Sequence, residues 1–356
     1  MTIYDMVNEL TEMLFGEKGT DFENLRKNIA KQLTQDKITI PPQYMVMKIT
    51  NVCNSNCIYC GHAREKVKFE RKNRISTERV HEIIDEAIAL GVKAIGISGG
   101  EPLVRDDVEG FIKQIADRDV IPVLLTNGYY LKDRAKALYD SGLRYFIVSI
   151  DSLDEDTFFA QRGVSLKPVL EGIDELVKLK EKDDSVKIHI TPVITAKNIT
   201  QMPGMVEHFS AKKVALQFSP FHTFGLDGVS ELGEFDKNEV VETVDKLLQM
   251  KKDGYLVADS FAFIEHFKKF MCEGKIVPDG YNCLVAYASV FVDAFETVRA
   301  CWCGGYNVDN LKNKSLGDIW YSEKYADIRK KMYNCVCPGC WLLCTGELSM
   351  MLYGQE

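Results

Sequence analysis

Three cysteines lie close together in the stretch KITNVCNSNCIYCGHA at residues 48–63. Cys53, Cys57 and Cys60 are separated by three and then two residues. Three thiolates leave one position of a metal site open, and an open position distinguishes catalytic metal centres from structural ones. The spacing therefore indicates an iron–sulfur cluster with one exchangeable iron, or a zinc site that His62 completes. Buried core cysteines would not need this spacing.

A second group of seven cysteines lies towards the end of the chain, and no cysteine lies between Cys60 and Cys272. Scattered core cysteines would not cluster in this way. Where thiols stay reduced, clustered cysteines are metal ligands or catalytic groups, although CxxC pairs also serve zinc ribbons. Cys272 is interpreted as structural. The second group consists of Cys283, Cys301, Cys303, Cys335, Cys337, Cys340 and Cys344.

The composition limits where the protein is expected to reside and which classes of partner it is expected to bind. The 356 residues contain no apolar run of eighteen, and the apolar stretch at 283–292 has only ten residues, so we expect no membrane span. The first ten residues lack the basic-then-apolar layout of a signal peptide, and we expect a cytoplasmic protein. A net charge of −8 argues against nucleic acid or an anionic membrane as the main partner.

Short apolar runs alternate with amphipathic stretches from about residue 41. This rhythm predicts parallel βαβ units with right-handed crossovers. Six strands suit a partial (β/α)6 TIM-type barrel, an α/β fold in which loops at the carboxyl ends of the strands carry the chemistry. In the helix predicted at STERVHEIIDEAIALG, Ser76 or Thr77 is the N-cap and Gly91 follows the end. The predicted strands are YMVMKI, AIGIS, VIPVLLT, YFIVSI, VKIHITPVI and VALQFS.

Changes in composition suggest four segments. Residues 1–40 are expected to form a helical N-terminal extension and residues 41–225 the barrel core. A helical linker is expected at 226–270, followed at 271–356 by a small cysteine-rich α+β domain. The first cysteine loop directly follows the first predicted strand, which is where a cofactor should lie.

The motif CNSNCIYC resembles the CxxxCxxC signature of the radical S-adenosylmethionine (radical SAM) superfamily, with Tyr59 as its usual aromatic residue. The resemblance implies that Cys53, Cys57 and Cys60 hold a [4Fe–4S] cluster whose fourth iron chelates S-adenosylmethionine. It also implies reductive cleavage to a 5′-deoxyadenosyl radical, which abstracts a hydrogen atom from the substrate. The expected electron donor is a protein such as flavodoxin or ferredoxin.

Further motifs follow the predicted strands in the family's order. The segment Gly99-Gly100-Glu101-Pro102 resembles the GGEP motif, in which glycines allow close backbone approach and Glu101 accepts from an amino group. Other positions match those that contact the ribose and methionine parts of the cofactor in the family. These are Thr126 and Asn127 after the third strand, Ser149 and Asp151 after the fourth, and Arg162 in QRG, with Lys187 as a weaker candidate for the methionine carboxylate.

The second cysteine group is similar to the SPASM auxiliary-cluster domain or its shorter form, twitch. The resemblance implies that Cys283, Cys301, Cys337 and Cys340 hold one auxiliary [4Fe–4S] cluster, although seven cysteines are also enough for two. The predicted strand–turn–strand between Cys283 and Cys301 has Glu296 where a glycine is usual. Further ligand candidates are Cys303, Cys335 and Cys344, and candidates for a catalytic role are His222 and Cys303.

The resemblance implies an enzyme, but it leaves the substrate open. The seventeen residues between Cys283 and Cys301 resemble the aminocyclitol dehydrogenase pattern, which favours dehydrogenation or rearrangement of a small polar metabolite. The alternative is maturation of a ribosomal peptide or of a protein side chain. A non-enzymatic metal-binding scaffold is a remote alternative, because it would leave the GGEP, TNG and QRG elements without a purpose.

Overall fold

The computed structural model describes residues 27, 29–31, 40–61, 74–223, 228–303, 305–337 and 339–353. Most of the helical extension expected at 1–40 lies outside these residues, although 27 and 29–31 are helical. His62 also lies outside the described residues. The four-segment division of the chain stays a prediction.

Six parallel strands form the core of one nine-stranded sheet, in the order β11-β10-β9-β1-β2-β3-β4-β5-β7. The run from β1 to β7 follows chain order, as the alternating sequence predicted. Two short strands, β6 and β8, pair separately. The strands are β1 Tyr44–Lys48, β2 Ala94–Ser98, β3 Ile121–Thr126, β4 Tyr145–Val148, β5 Lys187–Ile190, β6 Val193–Ile194, β7 Ala215–Leu216, β8 Ser219–Pro220, β9 Ser289–Val292, β10 Thr297–Arg299 and β11 Asn307–Asn310.

The two faces of the sheet differ in polarity. Parallel strands in chain order with right-handed crossovers place their helices on one face. That face carries an in-register row in which every member is at most 2% exposed: Met47, Ile97, Leu124, Phe146 and Ile188. The opposite, inner face carries the row Val46, Gly96, Val123, Tyr145 and Lys187.

Side chains two residues further along a strand share its face, so Lys48 and His189 also belong to the inner face. The expected α/β partial barrel is confirmed by this arrangement of strands and helices. Its inner face lies opposite the helices, and the carboxyl ends of its strands are where such folds bind their ligands.

The helices form where the sequence is amphipathic and well capped. Ser76 accepts a hydrogen bond from the Arg79 amide, and Gly91 ends that helix at φ 103°, as predicted. The helices are α1 Thr77–Leu90, α2 Val108–Ala116, α3 Leu131–Asp140, α4 Glu155–Arg162, α5 Leu166–Lys182, α6 Met202–Ala211, α7 Lys237–Lys252, α8 Phe261–Glu273, α9 Val285–Ala288, α10 Leu316–Trp320, α11 Glu323–Tyr333 and α12 Leu348–Tyr353.

The cysteine-rich part of the chain continues the barrel sheet. Strand β9 pairs in parallel with β1, and β10 and β11 follow antiparallel. The strand, turn and strand predicted between Cys283 and Cys301 are present, preceded by the short helix α9. Glu296 lies in the turn at φ 66°, a left-handed conformation that favours glycine, and its carboxylate pairs with Arg79 at 2.9 Å.

Within the described part of the chain, no helix has the length and apolarity needed to cross a membrane.

Candidate functional site

Asn127 holds the first half of the cysteine loop. Its Nδ2 donates to Asn54 Oδ1 at 2.7 Å and to Ser55 Oγ at 2.9 Å, and lies 4.0 Å from Cys53 Sγ. Since Asn127 directly follows β3, the end of that strand fixes the loop that follows β1. The sequence indicated Asn127 but gave no signal for Asn54 and Ser55, which are ordinary loop residues.

The second half of the loop is held by the end of helix α4. The amides of Asn56 and Ile58 donate to the carbonyls of Arg162 and Gln161, both at 2.9 Å. These bonds use the open carbonyls at the carboxyl end of α4, and they place Cys57, which lies between the two amides, against that helix.

A buried ion pair connects this helix to the loop. Arg162 Nε and Nη2 each donate to Asp151 at 2.8 Å, and the Tyr59 hydroxyl donates to the same carboxylate. Asp151 is fully buried and also accepts from the Val193 amide at 2.8 Å. Arg162 thus holds the loop through Asp151, and the direct carboxylate contact that the resemblance implies stays a prediction.

The GGEP segment packs against the chain just before the loop. The Gly100 amide donates to Thr50 O at 2.8 Å, and the Glu101 amide donates to Val52 O at 2.9 Å. A Cβ on Gly99 would lie 2.6 Å from Thr50 O, and one on Gly100 would collide with Val52 O. The two glycines therefore allow the backbone of this segment to contact the backbone of residues 50–52 directly. Pro102 is buried and begins a short 3₁₀ helix.

Glu101 ties together the ends of β2 and β3. Its carboxylate accepts from Thr126 Oγ1 at 2.7 Å, from the Asn127 amide at 2.7 Å and from the Leu103 amide at 2.9 Å. Burial raises the pKa of Glu101 to about 7, although these three donors oppose the shift. The carboxylate is therefore a rigid acceptor at the carboxyl end of the sheet.

Ser149 and Lys187 lie at different ends of the sheet. The Ser149 amide donates to Thr126 O at 3.0 Å, so Ser149 joins the site at the carboxyl ends of the strands. Lys187 is the first residue of β5, opposite Tyr145 at the start of β4. The structure does not bring Lys187 to the cysteine loop, because it places this residue at the amino end of its strand.

The three thiols of the loop fit an iron–sulfur cluster. Burial raises the pKa of Cys53 to about 11 and that of Cys57 to about 12, and Cys60 lies within electrostatic reach of both. Such thiols stay protonated unless a cation stabilises the thiolates, which is what bound iron does. Asn127, next to Cys53, and Arg162 O, next to Cys57, are polar groups of the kind that orient metal ligands.

The seven C-terminal cysteines share one neighbourhood. Cys344 has Cys283, Cys301 and Cys340 within electrostatic reach, and Cys303 hydrogen-bonds Cys301 and Cys340. No three His, Cys, Asp or Glu side chains in the described ranges converge as a single bound metal ion would need. Several cysteine thiols along one cavity are the donor set that an iron–sulfur cluster uses. The cavity is lined by Cys283, Cys301, Cys303, Cys335, Cys337 and Cys340.

His222 contacts the C-terminal cysteine segment. Its Nε2 accepts from the Trp341 amide at 2.9 Å, and its ring lies 4.6 Å from that of Phe270. Burial lowers the pKa of His222 to about 4, so the imidazole is neutral at physiological pH. These contacts support a role in positioning the segment beside Cys340. Cys272, on helix α8, lies apart from both cysteine groups in sequence, and its Sγ is 3.9 Å from the carbonyl oxygen of Lys237.

Two residues that the sequence did not single out lie between the cysteine groups. The Lys48 ammonium is 4.1 Å from the centre of the Trp302 ring, and Trp302 lies between Cys301 and Cys303. The only sequence signal was a lysine at the carboxyl end of β1, on the inner face.

Two family profiles match the chain. Residues 47–207 match the radical SAM superfamily, and residues 283–341 match SPASM, described as an iron–sulfur cluster-binding domain. The second match covers the cavity cysteines, and the first covers the cysteine loop and the GGEP segment.

The curated relatives include enzymes named GTP 3′,8-cyclase. The one from Campylobacter jejuni is 33% identical over 224 residues, which are 59% of this chain and 66% of the relative. The one from Nautilia profundicola is 30% identical over 273 residues, which are 69% of this chain and 81% of the relative. The chain thus spans slightly less than two thirds of the Campylobacter protein.

Solved structures share the fold. Streptococcus suis SuiB bound to precursor peptide SuiA has a TM-score of 0.64 at 17% identity, covering 92% of this chain and 74% of that chain. Given the matched profiles, the aligned relatives and the shared fold, this chain belongs to the radical SAM superfamily, as an enzyme that uses S-adenosylmethionine, a [4Fe–4S] cluster and an auxiliary iron–sulfur cluster in a SPASM domain.

Proposed function

We propose that this enzyme acts on a small polar metabolite, from which it abstracts a hydrogen atom. The observation that carries the proposal is the 30–33% identity to enzymes whose name gives GTP, a small molecule, as their substrate. The peptide-bound SuiB structure is only 17% identical and indicates the fold alone.

The chain's own residues bind and orient the cofactors. When bound, the first cluster and S-adenosylmethionine supply the 5′-deoxyadenosyl radical that attacks the substrate C–H bond. Cys53, Cys57 and Cys60 hold that cluster, and Asn127 and Asp151 hold the loop in place from either side. Tyr59 and Arg162 donate to Asp151 and help to hold the loop through that contact.

The remaining strand-end groups form the rim of the cofactor site. Glu101 offers a fixed acceptor for an amino group, and Thr126 and Ser149 extend the polar edge next to it. Gly99, Gly100 and Pro102 shape the segment that carries Glu101. These assignments rest on the resemblance and on the common location at the carboxyl ends of the strands.

We further propose one auxiliary cluster, held by Cys283, Cys301, Cys337 and Cys340. All four line the same cavity, as do Cys303 and Cys335. Cys303 hydrogen-bonds two members of this set and is the first alternative ligand, followed by Cys335 and Cys344. The auxiliary cluster would accept an electron from the substrate radical or assist bond formation.

The substrate would lie on the polar inner face, between the two cysteine groups. Lys48 and Trp302 lie there, and Asp293 pairs with Arg299 at 3.0 Å beside them. Charged and aromatic groups of this kind suit a small polar substrate, which needs a few fixed polar contacts for orientation.

The reaction is tested anaerobically with S-adenosylmethionine and dithionite, or with flavodoxin or ferredoxin as the proposed donor. Wild type is expected to release 5′-deoxyadenosine, and the Cys53→Ala/Cys57→Ala/Cys60→Ala variant is expected to release none. A wild-type protein that releases none would favour the metal-binding scaffold.

The substrate class is tested by isotope transfer. Extracts of cells grown in heavy water are separated into small metabolites and peptides, and each fraction is added to the reaction. Deuterated GTP is tried as a single compound. Deuterium should enter 5′-deoxyadenosine from the metabolite fraction. Transfer from the peptide fraction alone would replace the proposal with peptide maturation.

A further inference from the structure

Lys48 lies where the two cysteine groups approach each other. It ends β1, and the cluster loop begins five residues later at Cys53. On its other side, β9 pairs in parallel with β1 up to Met47 and Val292, so the next positions, Lys48 and Asp293, are neighbours. The Lys48 ammonium stacks on Trp302 at 4.1 Å, between two cysteines of the second group.

The charged groups around Lys48 come from the cluster loop and from the cysteine-rich segment. They are Cys60 of the cluster loop, Cys303 of the second group, and the pair formed by Asp293 and Arg299. Asp293 and Arg299 contact each other at 3.0 Å, so their opposite charges largely cancel at the ammonium. The thiols of Cys60 and Cys303 belong to different metal sites, and Lys48 lies within electrostatic reach of both.

Burial is the largest influence on Lys48 and lowers its pKa, whereas the neighbouring thiols raise it. In the loaded protein, Cys60 and Cys303 would be thiolates, and both lie within electrostatic reach of the ammonium. Their negative charge favours the protonated form of the amine. Lys48 is therefore expected to carry its charge when both clusters are bound.

We propose that Lys48 is a positioning residue whose single positive charge is shared by the two iron–sulfur clusters and raises the reduction potential of both. Reduction adds a negative charge to a cluster, and a cation nearby stabilises that charge, more strongly where burial excludes water. Because one cation acts on both sites, the two potentials move in the same direction. The proposal rests on the proposed function, in which one electron enters at the first cluster and leaves through the auxiliary cluster.

The test is an anaerobic redox titration of the reconstituted full-length protein, followed by electron paramagnetic resonance with and without S-adenosylmethionine. Only the cluster with an open iron should respond to the added cofactor, which separates the two signals. The variants are Lys48→Met, which removes the charge at similar length, and Lys48→Arg, which keeps it. Lys93→Met is the matched control, since Lys93 is exposed just before β2, at the opposite end of the sheet.

Lys48→Met should make reduction of each cluster about tenfold less favourable, which is 59 mV for a one-electron couple. Lys48→Arg and Lys93→Met should stay near wild type. Unchanged potentials in Lys48→Met, a shift of one cluster only, or an equal shift in Lys93→Met would each overturn the proposal. Iron content is measured first, and if Lys48→Met loads less iron, Lys48→Gln is titrated in its place.

The redox titration and the 5′-deoxyadenosine assay distinguish failure of this proposal from failure of the proposed function. A wild-type protein that releases 5′-deoxyadenosine while the Lys48→Met potentials stay unchanged would overturn the role of Lys48 alone. Shifted potentials in a protein that releases none would leave the role of Lys48 intact and overturn the function.

Discussion

Asp151 is the carboxylate on which the second half of the cluster loop depends. Replacing it with asparagine leaves the Arg162 guanidinium buried beside a neutral amide. Breaking a buried ion pair in this way costs about 3–5 kcal/mol. Asp151→Asn should therefore lower the thermal midpoint and speed the loss of iron to a chelator.

The control for this change is Asp183→Asn. Asp183 pairs with Arg144 at 3.0 Å near the surface, where both side chains are more than a quarter exposed. Its loss should cost about 1 kcal/mol or less and leave iron retention unchanged. Equal iron loss in the two variants would contradict the role assigned to Asp151.

Burial of His189 should make folding stability depend on pH. Burial, with smaller contributions from Lys180 and Lys187, lowers its pKa to about 4 from an ordinary value near 6.5. As the pH falls from 6.5 towards 4, the unfolded chain binds a proton that the folded chain does not. Folding stability should therefore fall with pH, by at most about 3 kcal/mol from this residue.

The measurement is the thermal midpoint at several values between pH 7.5 and pH 5, for wild type and His189→Gln. The variant should lose less stability on acidification than wild type. Parallel curves for the two proteins would show that His189 does not stay neutral in the folded state.

The cysteine spacing was enough to predict Cys53, Cys57 and Cys60 as metal ligands, because three ligands on one short loop need no long-range information, and this assignment stays a prediction. The contact between Lys48 and Trp302 had no such signal. It depends on the pairing of two strands more than 200 residues apart in sequence. The ion pair between Arg162 and Asp151 likewise had no local signal, and the cofactor contact of Arg162 stays a prediction.

The GGEP segment gives a direct test of backbone packing. Gly100→Ala would force a methyl group into the carbonyl oxygen of Val52, next to Cys53. The expected cost is about 1–3 kcal/mol, together with weaker iron binding, because the loop must shift. Thermal melts and iron analysis measure both effects.

Gly110→Ala is the matched substitution, because Gly110 lies in helix α2 with no atom within 4 Å of the added methyl. It should stabilise the protein by up to about 1 kcal/mol through helix propensity. If Gly100→Ala were as well tolerated, the close approach of the two backbones would not matter for the site.

The turn between β9 and β10 tests why Glu296 occupies a position usual for glycine. Glu296→Gly relieves the left-handed strain and loses the contact with Arg79, so its net effect should be within about 1 kcal/mol of zero. Glu296→Ala keeps the strain and also loses the contact. It should be the less stable of the two by about 1 kcal/mol, and chemical denaturation of both variants measures the difference.

Helix limits were predicted well where caps are local, as at Ser76 and Gly91. The turn at Glu296 was noticed only as a departure from a pattern, and its cause needed the contact with Arg79 on helix α1. Helix α9 was missed, because its four residues are apolar and lie directly before a strand of similar composition.

The molecule joins its two metal sites through one sheet. Strand β1 leads into the first cysteine loop, and β9, between the first two cysteines of the second group, pairs with it. The alternation of strands and helices predicted the barrel core. It could not predict that the cysteine-rich region extends the same sheet, because that pairing joins distant parts of the chain.

The central claim is that one chain holds two separate iron–sulfur clusters, one of them on Cys53, Cys57 and Cys60. The direct measurement is iron and sulfide per chain after anaerobic reconstitution, for wild type and for the Cys53→Ala/Cys57→Ala/Cys60→Ala variant. With four irons per cluster, we predict about eight irons for wild type and about four for the variant. About twelve and about eight would mean two auxiliary clusters. A wild type with about four irons and a variant with none would contradict the account, because the second cysteine group would then hold no cluster.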